Sequence, residues 1–555
     1  MKIDRRNLLA LLGVGAATPA AAQSIIPPGV DPTPKFAHGV ASGDPMQDRV
    51  IIWTRLTHQA DVGFDIDWEV ARDAAFAQVV ASGKAPVRHE SAFTVKVDVK
   101  GLKPGTAYFY RFRWGDLVSP VGRTRTLPAG ATKDAVIAVA SCSLYPNGYF
   151  NAYQAIADLE RVDVVLHLGD YFYEYGGDKS YGMDSPVASQ RPHDPPHEVV
   201  TLADYRRRHA QYKTDPALQA AHARAPWILA WDDHETANDS YAGGAQNHQP
   251  AVEGDWSARK ATALKAYYEW MPIREPGAGK TLAEAGARSF RIGDLAQIVM
   301  LETRLTARDR QLVYDRDLPE VDGKRDIEGF RKKLADPSRR MMGPAQEAWF
   351  AGELSGSVKA GHAWQVVGSG VVMGRLMMPL IGRDITAAEV AALPEDARKR
   401  VERWQAIAAL GLPYGLDMWD GYPVDRERVY EMMTAAKARP IVVSGDSHAF
   451  WVNELSNAGG KRVAVEFGGT SITSPGADDV MGGFKIGPAF AKASPEVVHN
   501  DQGSKGFVLL TLSHTEALGD LVAVSTITDK AFTSRTVKSF KVKPDGTGVT
   551  GLMDA

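Results

Sequence analysis

Four short apolar runs each end in residues able to do chemistry. The run at 164–168 leads into Gly169-Asp170-Tyr171-Phe172-Tyr173, and the run at 227–230 into Trp231-Asp232-Asp233-His234-Glu235, with Asn238 and Asp239 close behind. The run at 441–443 leads into Ser444-Gly445-Asp446-Ser447-His448, and that at 135–140 into Ser141-Cys142-Ser143. Glycine lets the backbone turn sharply, and the aspartate after it can present both carboxylate oxygens, enough to bridge two cations. Asp446 and His448, two apart in an extended segment, project to one side. Two aspartates, a histidine and a glutamate straight after an apolar strand are expensive to bury without a metal or a dense hydrogen-bond net. Taken singly, each motif also fits a capping aspartate or a small inert core cysteine. Taken together they gather Cys142, Asp170, Tyr173, Asp232 or Asp233, His234, Asp446 and His448 at one sheet edge. A thiolate, phenolate, imidazole and carboxylate set suits a Lewis-acidic transition metal such as ferric iron, and an oxygen-only set suits calcium, magnesium or manganese. Two cations bridged by Asp170 at about 3.5–4 Å would clamp a phosphate ester and activate a water or hydroxide for in-line attack.

The elements that must position these residues follow from periodicity. Nearly unbroken apolar runs at 135–140, 164–168, 227–230, 297–301, 364–367, 441–443, 463–467, 507–512 and 521–526 predict strands buried on both faces. Helical patterns lie at 151–160, 202–223, 257–270, 344–354, 395–409 and 426–437, so residues 134–535 predict a layered α/β domain with its site at the carboxyl ends of the strands. Long polar stretches at 176–196 and 304–342 read as functional loops. Arg206-Arg207-Arg208-His209 reads as the solvated face of a helix. Residues 36–128 are different: short alternating strands at 50–56, 65–71, 93–99 and 107–114 predict a separate β-sandwich. Its segment Leu102-Lys103-Pro104-Gly105-Thr106-Ala107-Tyr108 resembles the corner of fibronectin-like sandwiches in which a tyrosine hydroxyl ties back to the backbone.

The chain has 555 residues, 44% hydrophobic and 24% charged, which is ordinary for a soluble globular protein. Asp4-Arg5-Arg6-Asn7-Leu8-Leu9, an apolar run through Ala17 and Ala20-Ala21-Ala22 form a twin-arginine signal peptide over 1–22. That predicts export of the folded protein by the twin-arginine machinery to the periplasm or the medium. The apolar run is about ten residues where a membrane anchor needs ~20. Removing the segment takes away Lys2, Arg5, Arg6 and Asp4, making the formal charge of −3 more negative, so no basic field for nucleic acid is present. Cys142 is the single cysteine, which excludes an intramolecular disulfide.

The blocks Phe36-Ala37-His38-Gly39-Val40-Ala41-Ser42-Gly43-Asp44-Pro45, Val50-Ile51-Ile52-Trp53-Thr54-Arg55, Ala140-Ser141-Cys142, Gly169-Asp170-Tyr171-Phe172-Tyr173, Trp231-Asp232-Asp233-His234-Glu235 and Gly445-Asp446-Ser447-His448 resemble, in order, the alkaline phosphatase D family. The resemblance implies a β-sandwich followed by a four-layered metallophosphoesterase domain with Fe3+ and Ca2+, other divalent ions being possible. It implies that Cys142, Asp170, Tyr173 and His448 hold the ferric ion, with Asp170 bridging, and that Asp233 and Asp446 serve the calcium side. His234 would contact phosphate or protonate the leaving oxygen, and Asn238 and Arg304 would steady the ester. Where the family often has Asp-Thr-Arg, this chain has Glu302-Thr303-Arg304. The implied function is an exported hydrolase releasing phosphate from small organic esters. Open beside it are a phosphodiesterase, including phospholipase D-type action on headgroups, and a non-catalytic exported binding protein. Which of Asp232, Asp233, Glu235 and Asn238 bind metal is also open.

Overall fold

Each central strand is apolar on both sides because each side meets a different partner. The computed structural model describes residues 33–58, 63–177, 181–381, 386–481, 484–546 and 548–555, so the signal peptide expected at 1–22 lies outside the described residues. Along Asp134–Ala140, Ile137 and Val139 enter a core shared with Val443 and Phe467, while Ala138 and Ala140 enter another with Tyr153 and Ile156 of the helix Asn151–Ala157. Along Pro440–Ser444, Ile441 and Val443 join the first of these cores and Val442 packs with Phe350 and Val429 of the helices Pro344–Lys359 and Pro423–Ala435. The result is helices, sheet, sheet, helices, with strand alternation deciding which layer each side chain enters.

The expectation of one sheet is thereby corrected to two. A ten-stranded sheet carries Asp134–Ala140, Val164–Leu168 and Trp227–Ala230 side by side and parallel. A seven-stranded sheet carries Ala296–Met300, Trp364–Ser369 and Pro440–Ser444, also side by side and parallel. An apolar run buried on both faces looks the same in either sheet, so the sequence pattern does not separate them. The helix expected over 202–223 is two, Leu202–Lys213 and Pro216–Arg224. Pro216 cannot continue the first but suits the first turn of the second, where Asp215 caps the amides of Ala217 and Leu218. On the first of these helices the basic run faces solvent only at Arg207; Arg208 and His209 are buried, Arg208 donating to the carbonyls of Tyr173 and Pro195.

In the N-terminal part, Val40–Gly43, Arg49–Arg55 and Thr94–Lys100 share a core with a second sheet built on Phe64–Ala71, Val79–Val87 and Ala107–Trp114, with Ile52, Val95, Val70 and Phe112 inside. The Tyr108 hydroxyl accepts from Lys103 N at 2.9 Å. Two features depart from the expected boundaries at 36–128 and 134–535. The three N-terminal strands are not a closed sheet but the far end of the ten-stranded one, Gly43 pairing in parallel with Trp227. At the other end, Ser534–Val542 and Met553–Asp554 continue the same sheet past residue 535. Short-range alternation reveals strands but not which distant strand completes them.

The joint is tight: a Cβ on Gly43 would lie 2.3 Å from Pro272 O and 2.8 Å from Trp227 O. Gly43→Val should therefore cost about 1–3 kcal/mol, as overpacking does. Urea unfolding of the purified variant against wild type measures it, and an unchanged midpoint would contradict the joint.

Candidate metal centre

The residues at the strand ends sit on strained backbone. Cys142, Asp170, Asp446 and His448 have φ of 63°, 53°, 55° and 58°, the left-handed region that costs a non-glycine residue of order 1–3 kcal/mol. The turns are held by their neighbours: Cys142 N donates to Gly169 O and Ser143 N to Asp170 O. Gly169, at φ 101°, is required on a second count, since a Cβ there would lie 2.4 Å from Asp232 N. Glu235 ties two strand ends together, its carboxylate accepting from the amides of Asp170 at 3.1 Å, Tyr171 at 2.6 Å and Asp232 at 2.8 Å. That occupies Glu235 with backbone and leaves it out of the open cluster.

Among the described residues, three groups of side chains bring one donor atom each to within 4.8 Å of one another: Cys142, Asp170 and His448; Asp170, Asp233 and His234; and Asp170, Asp232, Asp233 and Asp446. Asp170 belongs to all three. Its Oδ2 receives the Tyr173 hydroxyl at 3.1 Å, while its Oδ1 is buried with no hydrogen-bond partner among the described residues. The Tyr173 hydroxyl is also 3.1 Å from His448 Nε2 and accepts from Ser474 Oγ at 2.6 Å. His448 Nδ1 is fixed by Pro475 O at 2.9 Å, which leaves Nε2 to face the cluster. Asp446 and His448 do reach one site, but through two left-handed residues rather than an extended segment, so they enter different groups.

Arg304 is placed differently from the expectation that it would grip an ester. Fully buried, it donates to Asp232 through Nε and Nη2, both at 2.7 Å, and to Asp417 through Nη1 at 2.9 Å. A guanidinium has five donors in a fixed fork, and here the fork is spent on carboxylates. Arg308 binds Asp417 as well. His234 Nδ1 lies 2.7 Å from Glu174 Oε2, and Glu174 Oε1 takes Asn238 N at 2.8 Å and Asn247 Nδ2 at 2.7 Å. The Asn238 side chain donates to Gln246 Oε1 at 3.0 Å.

The comparisons with known proteins bear on the family. The family model described as PhoD-like phosphatase matches residues 137–521, and that described as PhoD-like phosphatase, N-terminal domain, matches 21–128. The chain belongs to the PhoD-like phosphatase family. It is 34% identical over 531 residues to alkaline phosphatase D of Bacillus subtilis (strain 168), covering 93% of this chain and 82% of that protein. The solved structure of PhoD superposes with a TM-score of 0.77 at 32% identity, covering 95% of this chain and 93% of that one. As a PhoD-like phosphatase the chain is a hydrolase of phosphate esters.

Charge in this PhoD-like site is unevenly paid back. Burial, with nearby Asp233, Asp232 and Glu235, holds the Asp170 carboxyl well above its usual range, and burial with Asp232 and Asp417 does the same to Asp446. Burial drives Asp232 up to about 6 despite Arg304, whereas for Asp233 the Arg304 and His234 charges overcome burial and hold the carboxyl low. Burial and the Asp170 charge raise the Cys142 thiol. A cation among these donors would relieve their crowding, and the partnerless Asp170 Oδ1 fits a ligand atom. Glu174, Asp417 and Ser474 escaped sequence reasoning: only Glu174 lay next to a motif, and the other two come from loops with no pattern of their own.

Removing Arg304 strands Asp232 in the interior. Arg304→Met should destabilise the protein by about 3–5 kcal/mol, the usual cost of breaking a buried pair. Adding Asp232→Asn should recover much of that in chemical unfolding; a double variant as unstable as the single one would mean that the pair is not what Arg304 supports.

Proposed function

We propose that the chain is an exported, metal-dependent phosphohydrolase that releases phosphate from small organic esters. The observation that carries this is Asp170, common to all three donor groups and free on one oxygen. Cys142, Tyr173, His448 and Asp170 form a sulfur, nitrogen and oxygen set suited to ferric iron; Asp170, Asp233 and Asp446 form an oxygen set suited to calcium or another hard divalent ion. Asp232 offers an oxygen to the same group while both of its oxygens accept from Arg304. When bound, the ions supply Lewis acidity toward a water nucleophile and the phosphoryl oxygens.

The rest falls to side chains. Glu174 fixes the His234 ring through Nδ1, so Nε2 is left for the ester, where it can donate to a phosphoryl or leaving oxygen. Burial lowers the His234 ring, but Asp233, Glu174 and Asp170 outweigh it and raise it, the direction a general acid needs. Arg304 and Arg308 lock Asp232 and Asp417 at the wall, positioning the acids rather than the substrate. Export rests on the segment 1–22, and no helix among the described residues is long and apolar enough to cross a membrane.

Chelation should abolish hydrolysis of an aryl phosphate, with iron and calcium together restoring it, and Asp170→Asn should be inactive and depleted in metal. Full activity in Asp170→Asn would point to a binding protein whose hydrolysis comes from elsewhere. A matched diester cleaved much faster than the monoester would shift the assignment to a phosphodiesterase. Glu174→Gln should keep its metals and lose about 10–100-fold in kcat/KM, the scale expected for a residue that orients another.

A further inference from the structure

Between the N-terminal strands and the catalytic helices lies a second collection of ionisable groups that the site does not use. Lys213 ends the helix Leu202–Lys213 and is 2% exposed. Its amine is 3.2 Å from His222 Nε2, 4.7 Å from the Trp53 ring centre and 5.2 Å from that of Tyr171. His222 stacks on Trp227 at 4.0 Å, His167 on the same indole at 5.7 Å, and His209 on Trp270 at 6.1 Å. From the N-terminal part, His38 meets Trp270 edge-on and holds Arg55 at 3.3 Å, and Arg55 lies over the same Trp270 ring.

Among the described residues no carboxylate answers these groups. Arg55 spends its other donors on Ala92 O and Thr57. The nearest acids are turned elsewhere: Asp215 to Arg191 and its own helix start, Glu269 to Arg206, and Glu235 to backbone amides. Tyr171 donates or accepts at His222, and Tyr153 at His167, neither supplying charge below strongly alkaline pH. Both nitrogens of His209 and one each of His167 and His222 are buried without a hydrogen-bond partner among the described residues.

We propose that this acid-free cluster is a pH-sensitive joint, which docks the N-terminal sheet tightly when Lys213 and the histidines are neutral and loosens as they take up protons. The direction follows from burial. It pushes the Lys213 amine down to about 7 and lowers His38, His209 and His222, with neighbouring Lys213 adding to each. A folded-state value below the unfolded one makes stability greatest above the unfolded value and progressively lower as pH falls. For Lys213 that loss runs from about pH 10.5 down to about 7, and for the histidines it continues below about 6.5. Protons entering here have no counter-charge, so the strain falls on the contacts of Trp53, His38 and Arg55 with the catalytic part, next to the Gly43 and Trp227 pairing.

The test is urea unfolding of the metal-loaded full chain between pH 7 and 10. The wild-type folding constant should fall more than about a hundredfold further than that of Lys213→Met over this range. Equal pH dependence in the two would overturn the proposal. Hydrogen exchange of wild type, corrected for intrinsic rate, gives a reading that does not need the variant to fold. Protection of Arg49–Arg55 and Leu202–Lys213 should drop between pH 8 and 5 while Pro440–Ser444 stays protected. Protection that is constant, or lost equally everywhere, would refute the joint.

Discussion

Like charges brought together out of water repel one another and forfeit hydration, and neither loss is recovered by hydrogen bonds alone. Asp170, Asp232, Asp233 and Asp446 are in that position, and much of the catalytic half can be read as the means of keeping them there. Arg304 neutralises one, amides and His234 steady another, and Glu235 fastens the two chain segments that deliver three of the four. The Oδ1 of Asp170 is left unanswered among the described residues. An acid crowded by acids and still open on one side is a poor stability device and a good cation ligand.

The two-sheet stack is what makes such crowding possible. A single sheet delivers loops along a line, whereas two sheets facing each other with their carboxyl ends together deliver them from opposite sides. Cys142, Asp170 and Asp233 come from one sheet and Asp446 and His448 from the other. The shared apolar core, with Leu168, Met300, Val366 and Val443 inside, fixes the distance between the two rows. Left-handed turns at four of these residues then aim side chains that an ordinary strand exit would send elsewhere.

Much of this was legible in the residues. Val164–Leu168 and Trp227–Ala230 appear at the expected positions because buried parallel strands write short, dense apolar runs, and the chemistry sits at their ends. Less visible was anything decided by a distant partner. Two sheets and one sheet share the same apolar signature, so the division of the strands could not be read. Nor could the work of Arg304: an arginine beside a strand end looks identical whether its fork meets a phosphate or Asp232. Asp417 and Ser474 belong to irregular segments that only the finished fold carries to the site. The basic run at 206–209 misled for a related reason, since charge in a helix usually marks solvent and here Arg208 instead satisfies carbonyls of a buried loop.

The pairing of Gly43 with Trp227 also bears on what a shortened protein could do. Cut away before residue 134, the catalytic half would keep Trp227–Ala230 at the border of its sheet without the Gly43 pairing and without the Asp44 amide that covers Trp227 O. Unprotected borders of that kind recruit strands from other molecules. The N-terminal half is thus a cover as well as an appendage, and excising it bares a strand edge prone to self-association.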